Sequence, residues 1–401
     1  MPALAQRLNR TQVASSIQMS IRARELRAAG HDVISLAIGE PDFDTPRHAI
    51  EAGYQAALKG DTKYAPQDGT RALKEAIARK FKRDNGLDYS PDGEIMVSNG
   101  AKQTLFSAFL ATLDDGDEVI IPSPYWAAYP LMVQLIGGNP VFVNCPQNNG
   151  FKPRPEDIEA AITPRTKWLM LNLPNNPTGA ACTREELAAI AAVMRRHPQV
   201  WIMADDMYEH LVFDGFEHHT IAEVDPALKE RTLTVSGVSK TYAMTGWRIG
   251  FAGGPKPLIK AMTNVQGQAT AGISTVGQAA AAAALDGPQD GAREMAAAYK
   301  RRRDLVVDGL NACQGIACHK PEGAFYVFPN VAGCLGKISG GGRSIATDQD
   351  FCAALLEEAH VATVHGGSFG MSPYVRISYA SDDATLAEAC RRIRTFCAEL
   401  H

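Results

Sequence analysis

The stretch Val200-Trp201-Ile202-Met203-Ala204-Asp205-Asp206-Met207-Tyr208 reads as a buried strand that ends in two carboxylates. Five apolar residues in a row, β-branched and aromatic members among them, suit a strand covered on both faces. Asp205 then falls at the C-terminal end of that strand, where open α/β sheets bind their ligands. Working outward, further strand-like runs occur at 94–97, 118–121, 140–143, 168–171, 232–235 and 249–252. Segments of helical spacing, such as 104–113, separate them. This alternation predicts a three-layer α/β/α unit on a mainly parallel seven-stranded sheet.

The flanks differ. Residues 17–30 carry apolar residues at helical spacing and end at glycine, a natural helix stop. Residues 72–81 repeat that pattern, and the alanine-rich run 279–285 suits a packed helix. A helix over 293–310 leads into strands near 324–328 and 374–379 and a last helix over 383–399. Gly340-Gly341-Gly342 marks a flexible loop. The expected organisation is an N-terminal arm (1–15), a large domain (50–295), and a smaller α+β domain that joins residues 16–49 to 296–401. There is no internal repeat and no low-complexity segment.

Four other stretches carry chemistry. Ser239-Lys240-Thr241-Tyr242-Ala243-Met244-Thr245-Gly246-Trp247-Arg248 sets a lysine among small and hydroxyl residues, with an arginine eight positions on. A lysine amine can bond an aldehyde cofactor, and a guanidinium can hold a phosphate. Pro174-Asn175-Asn176-Pro177-Thr178-Gly179 is a sharp turn that aims Asn176 at one point. Ser98-Asn99-Gly100-Ala101-Lys102-Gln103 opens a helix with small residues after a strand, a phosphate seat of backbone N–H groups. Tyr374-Val375-Arg376-Ile377-Ser378-Tyr379 puts an arginine in a β-like run, suited to clamp a carboxylate. Each match alone is as consistent with a turn or a surface residue. Their joint occurrence is what points to one ligand, pyridoxal 5'-phosphate.

At this point the chain resembles a family. Ala37-Ile38-Gly39-Glu40-Pro41-Asp42-Phe43, Thr62-Lys63-Tyr64-Ala65-Pro66 and Pro124-Tyr125-Trp126, with the motifs above and in this order, are similar to the fold-type I, class I pyridoxal-phosphate aminotransferases. The nearer likeness is to the bacterial aspartate/prephenate aminotransferase branch. The resemblance runs from about Ser16 to the C-terminus. It implies that Lys240 bonds the cofactor and then shuttles a proton, that Asp205 pairs with the ring nitrogen, and that Asn176 and Tyr208 bond its phenolic oxygen. Trp126 would stack on the ring. Arg248, the backbone of Gly100, Ala101 and Lys102, and Tyr64 of a partner subunit would hold the phosphate. Arg376 would clamp the α-carboxylate, with Gly39 closing over it. A homodimer with shared active sites is the implied assembly.

The composition fits that class. The 401 residues are 45% hydrophobic and 21% charged, ordinary for a two-domain globular enzyme. A net charge of −4 implies no broad attraction to nucleic acid. Eight scattered cysteines and ten histidines show neither disulfide nor metal spacing. The N-terminal residues lack the apolar core of a signal peptide, and no apolar run is long enough to span a bilayer, so a cytoplasmic location is expected.

Substrate choice is less legible. A dicarboxylic substrate needs a cation for its distal carboxylate, because a desolvated unpaired charge is costly. Residues 264–278 contain neither arginine nor lysine, so the partner-chain arginine used elsewhere in the wider family has no counterpart there. In the branch resembled here, Lys102 would do this work with nearby hydroxyls. Ser16 keeps one of those hydroxyls, and Ala14 stands where the branch usually has serine. The alternative for Lys102 is a second phosphate contact. The expected reaction moves an amino group from aspartate, or another acidic or aromatic donor, to a 2-oxo acid such as 2-oxoglutarate. Prephenate or aromatic transamination is the neighbouring reading. A C–S lyase would use the same lysine and aspartate. A pyridoxal-phosphate-binding regulator would call for an added basic DNA-binding module, which these residues do not display.

Overall fold

The seven expected strands form one sheet, in the spatial order Ile95–Ser98, Gly250–Gly253, Thr232–Gly237, Trp201–Asp205, Thr166–Asn172, Glu118–Ser123, Asn139–Asn144. All neighbours are parallel except Gly250–Gly253, which runs antiparallel to both strands beside it. The structure, a computed structural model, describes residues 4–10 and 15–401, the side chains of residues 15–17 excepted.

Helices cover both faces because the strands are apolar on both. In Thr166–Asn172, Trp168 and Met170 pack into one cluster with Leu105, Phe109, Val133 and Met262. Leu169 and Leu171 point the other way, against Leu187, Ile190 and Met194. This is the period-two alternation of a strand buried on two sides. The helix Arg184–Arg196 is opened by a reciprocal capping box between Thr183 and Glu186. The helix Ala101–Thr112 starts after Gly100, whose φ of 79° suits glycine.

A second, three-stranded antiparallel sheet has Val375–Ser378 between Val364–His365 and Tyr326–Val327. It packs with the helices Asp290–Asn311, Asp348–Ala359 and Asp383–Ala398 around Leu310, Phe325, Phe351, Tyr379 and Ile393. The boundary expected at 295/296 falls inside the continuous helix Asp290–Asn311. Of the expected arm, Gln6–Arg10 forms an exposed 3-10 turn, and Thr11 to Ala14 lie outside the described residues. The triple glycine departs from expectation. It closes a hairpin between Lys337–Ile338 and Ser344–Ile345. Glu358 pins that turn by accepting from the Ser339 hydroxyl (2.6 Å) and the Gly341 N–H (3.0 Å).

One buried polar knot supports the sheet edge directly behind Tyr208. Glu209 accepts from the Lys80 ammonium (2.5 Å), the Ser236 hydroxyl (2.7 Å) and the Asn85 amide (2.8 Å). Burial pushes its carboxyl up, but the charge and hydrogen bond of Lys80, with His210 and His218 adding to them, together outweigh that and hold Glu209 well below the usual carboxylate range. Lys80→Met strands a buried carboxylate, so it is expected to destabilise the fold by about 3–5 kcal/mol, read as a lower urea midpoint. The sign with pH follows. A depressed carboxylate contributes stability above its unfolded pKa and loses it as pH falls through the folded value. Without Lys80 less of that depression remains and Glu209 takes up a proton more readily in the folded state, so the gap in urea midpoint between variant and unchanged protein is expected to narrow as pH falls from 7.

Candidate active site

Asp205 and Asn172 end adjacent parallel strands and are register partners. Their side chains therefore stand together at the carboxyl edge of the sheet. They open into a cavity of about 550 Å³, walled on its other side by Tyr326 and Arg376 of the small sheet.

Asp205 has one side-chain donor, Tyr129, and the Met207 N–H adds a weaker pull. The Asp205 Oδ2 accepts from the Tyr129 hydroxyl at 2.5 Å, while Oδ1 is buried with no hydrogen-bond partner. Burial pushes its carboxyl up to about 6, with the Tyr129 hydrogen bond pulling down and the neighbouring Asp206 charge adding to the rise. A buried carboxylate oxygen without a donor is costly, so this one is built to receive a donor from a ligand.

Lys240 follows the strand Thr232–Gly237, one strand over from Asp205. Its ammonium donates to the Gly39 carbonyl at 2.6 Å and lies 5.7 Å from the Phe325 ring centre. Burial pushes this amine down to about 8; the Glu40 carboxylate works against the shift, and Arg376 and Arg248 reinforce it. Glu40 itself accepts a hydrogen bond from the Thr245 hydroxyl.

Arg248 occupies the left-handed region (φ 58°) and donates to the Thr245 carbonyl (2.8 Å) and the Asn99 carbonyl (3.4 Å). A Cβ at Gly100 would stand 2.3 Å from its guanidinium. Glycine there lets the guanidinium lie against the helix N-terminus, and the two together concentrate positive charge. Ser239 lines the same end of the cavity.

From the small sheet, Arg376 donates to the Asn176 side-chain oxygen (3.0 Å) and the Ala37 carbonyl (2.5 Å). Its guanidinium lies over the rings of Tyr326 (4.9 Å) and Phe369 (4.8 Å). Its Nε is buried without a partner. Lys102 sits with its ammonium 5.0 Å from the Trp126 ring centre, and burial, with Arg248 nearby, lowers its pKa.

The structure thus gathers Gly39, Ala101, Lys102, Trp126, Asn176, Asp205, Tyr208, Lys240, Arg248 and Arg376 around one cavity, with Gly100 directly behind Arg248. Tyr64 is not among the lining residues and is 98% exposed. The Ser16 side chain lies outside the described residues. Sequence reasoning passed over Tyr129, Tyr326, Asn172 and Glu40. Tyr129 had one legible signal, its helical step of three from Trp126. The strand carrying Tyr326 was readable, but not the face its ring would take.

The fold and this constellation define a class, and comparison with known proteins agrees. The family model "Aminotransferase class I and II" matches residues 31–393. The chain belongs to that family and is an aminotransferase. It is 55% identical over 397 residues to the aspartate/prephenate aminotransferase of Cereibacter sphaeroides, covering 99% of both chains. It is 54% identical to an aspartate aminotransferase of Rhizobium meliloti, covering 99% of this chain and 96% of that one. Among solved structures, the aspartate aminotransferase from Rhizobium meliloti superposes with a TM-score of 0.97 at 53% identity, over 100% of each chain. The Thermus thermophilus aspartate aminotransferase with maleate does so at 0.91 and 43%, over 99% and 100%. No helix among the described residues is long and apolar enough to cross a membrane, and no group of three or more His, Cys, Asp or Glu among them is placed to hold a metal ion.

Because Glu40 opposes the downward push on Lys240, Glu40→Gln is expected to move the titration midpoint of the Lys240 amine below about 8. The rate of Lys240 modification by trinitrobenzenesulfonate, followed against pH by peptide mass spectrometry, reads that midpoint. An unmoved midpoint would remove Glu40 from the electrostatics of the site.

Proposed function

We propose that this aminotransferase works with pyridoxal 5'-phosphate and takes aspartate as its leading amino donor, with 2-oxoglutarate as acceptor. The observation that carries the cofactor reading is the pairing of an unpartnered buried Asp205 Oδ1 with a largely buried lysine amine in one cavity. The donors fit the group. Arg248, Ser239 and the N-terminus of Ala101–Thr112 suit its phosphate, Asp205 its ring nitrogen, Tyr208 and Asn176 its phenolic oxygen, and Trp126 its ring face. When bound, pyridoxal phosphate supplies an aldehyde carbon and a ring that accepts the electron pair left at the substrate's Cα.

The chain's own residues do the rest. Asp205, ionised above about pH 6, offers Oδ1 as a hydrogen-bond acceptor and a negative charge in a low-dielectric setting. Lys240 would be the residue that bonds the cofactor's aldehyde carbon, and its free amine would be the base that takes the proton from the substrate's Cα. A midpoint near 8 leaves part of the population neutral at physiological pH, as a general base requires. Arg376, fixed by Asn176 and the Ala37 carbonyl, receives the α-carboxylate and orients Cα toward Lys240. Gly39 lies on the strap of residues 37–43, and its carbonyl holds Lys240 in place.

The aspartate reading is supported by Lys102, an ammonium in the cavity whose contact is the Trp126 ring, and by the relatives named above. A second reading, prephenate or an aromatic donor, is favoured by the apolar walls of Trp126 and Ile38 beside that ammonium. A homodimer is supported by the exposure of Tyr64 and of Ile50, Tyr54 and Leu58 on the helix Arg47–Leu58, a patch suited to a partner that would bring Tyr64 to the phosphate. A division into a large and a small domain is supported by the two separate sheets, while the expected bounds at 49/50 and 295/296 each fall inside a helix, Arg47–Leu58 and Asp290–Asn311. A cytoplasmic enzyme is the reading we retain.

The test is a half-reaction screen. Holoenzyme is mixed with single amino acids without acceptor, and conversion to the pyridoxamine form is followed by absorbance. Aspartate is expected to convert fastest; fastest conversion with aromatic donors would transfer the assignment to the second reading. Lys240→Ala is expected to abolish turnover, and near-normal turnover in that variant would sink its role. Lys102→Ala is expected to lower kcat/KM for aspartate by about 10–100-fold, the worth of one charge-assisted contact, and to affect a neutral donor far less. Equal losses for both donors would assign Lys102 to the phosphate.

A further inference from the structure

Tyr326 touches three parts of the site at once. It lies opposite Ser378 in the small sheet, and Arg376 stands two residues along the same strand, hence on the same face. The guanidinium accordingly sits over the Tyr326 ring, 4.9 Å from its centre. The Tyr326 hydroxyl meets the Tyr208 hydroxyl at 3.0 Å, with the two rings edge-on (80°). It also blocks the strap: a Cβ at Gly39 would stand 1.9 Å from the Tyr326 oxygen. Both tyrosines are buried.

We propose that Tyr326 is a positioning residue that couples the Arg376 carboxylate clamp to the Tyr208 phenol, so that docking of a substrate carboxylate changes the hydrogen bond Tyr208 can give. The inference rests on the reading that Arg376 receives the α-carboxylate and Tyr208 faces the cofactor. Its logic is proton direction. Two hydroxyls 3.0 Å apart share one hydrogen bond, so one donates and the other accepts. A cation over the Tyr326 ring draws electron density and makes its hydroxyl the better donor. Tyr208 is then the acceptor, and its own proton is free to point at the cofactor oxygen. The charges agree in direction: burial raises both phenols and Arg376 pulls both back down, as the foremost lowering influence at Tyr326 and by less than Tyr326's own upward push at Tyr208. A carboxylate on Arg376 offsets the guanidinium charge and weakens this bias. Chains of hydrogen bonds polarise one another, so the effect passes along the pair.

The experiment uses holoenzyme and the pH dependence of the absorbance of the Lys240-linked cofactor, with and without succinate as an unreactive dicarboxylate probe. In the unchanged protein, succinate is expected to move the spectroscopic midpoint. In Tyr326→Phe, which removes one oxygen, the succinate-free midpoint is expected to rise by a few tenths of a unit as the phenolic oxygen loses part of its hydrogen bond. The shift caused by succinate is expected to fall by at least half. The succinate dissociation constant should stay within about threefold, since the ring still packs under Arg376, and kcat for aspartate should fall more than KM rises. A Phe variant whose midpoint and succinate shift both match the unchanged protein overturns the proposal. Tyr208→Phe separates the two readings: if it too leaves the midpoint unmoved, the placement of Tyr208 at the cofactor has failed, not the coupling alone. A midpoint that succinate leaves in place in the unchanged protein overturns the coupling as well; a moved one is assigned to Tyr326 only through the variant, because Arg376 also bonds Asn176 directly.

Discussion

The rest of the site depends on a carboxylate kept dry at the edge of a sheet. Asp205 is the last residue of its strand, buried, and secured through one oxygen by Tyr129. Removing a carboxylate from water is unfavourable unless donors replace the lost hydration. Here one side-chain donor is present, the Met207 N–H adds a weaker pull, and Oδ1 has no hydrogen-bond partner. The neighbouring strand end, Asn172, steadies this geometry: its amide donates to the Asp205 carbonyl (3.0 Å) and its oxygen accepts from the Asn176 N–H (2.9 Å). The backbone of the sheet and the turn carrying Asn176 are thus joined at the point where charge is held.

The two sheets meet across this point through side chains. Arg376 from the small sheet reaches Asn176 beside the large one. The segment that carries Gly39 and Glu40 bridges both. At one end Leu36 pairs with the Ala362 carbonyl (2.8 Å); at the other Thr45 donates to the Ala243 carbonyl (3.0 Å) and accepts from the Trp247 indole (3.0 Å). Between them Asp42 binds Arg302 (2.8 Å), whose guanidinium lies over Phe43 and Tyr299. A strap so anchored presents its Gly39 carbonyl to Lys240 at a defined place, as the proton transfer proposed for that amine would require. Gly39 is glycine because the Tyr326 oxygen fills the space a methyl would need.

Charge in the cavity is unevenly distributed, and that asymmetry underlies the substrate reading. Arg24, Lys102, Lys240, Arg248 and Arg376 are the basic residues lining the cavity, against the two acids Asp205 and Glu40. Anions with two or three separated negative groups suit such a lining, while Trp126 and Ile38 give it apolar walls that an aromatic or cyclic side chain could also use.

Much of this was legible in the chain. Strand and helix periods placed the seven strands of the large sheet within a residue or two of their observed bounds, because residues buried on two faces must be apolar in unbroken runs. The lysine, aspartate, asparagine and arginine of the site sit at strand ends and turns, where local sequence constrains the backbone, so motif and position were readable together. Other features belong to the tertiary structure. Tyr129 reaches Asp205, and Tyr326 reaches both Tyr208 and Arg376, through packing between elements 76, 118 and 50 residues apart in the chain. The pairing of Lys80 with Glu209 and the pinning of the triple glycine by Glu358 are of the same kind. The local order of residues determined which groups stand at the edge of the sheet; only the docking of one sheet on the other decided which of those groups touch, because such contacts depend on distances that no short stretch of sequence encodes.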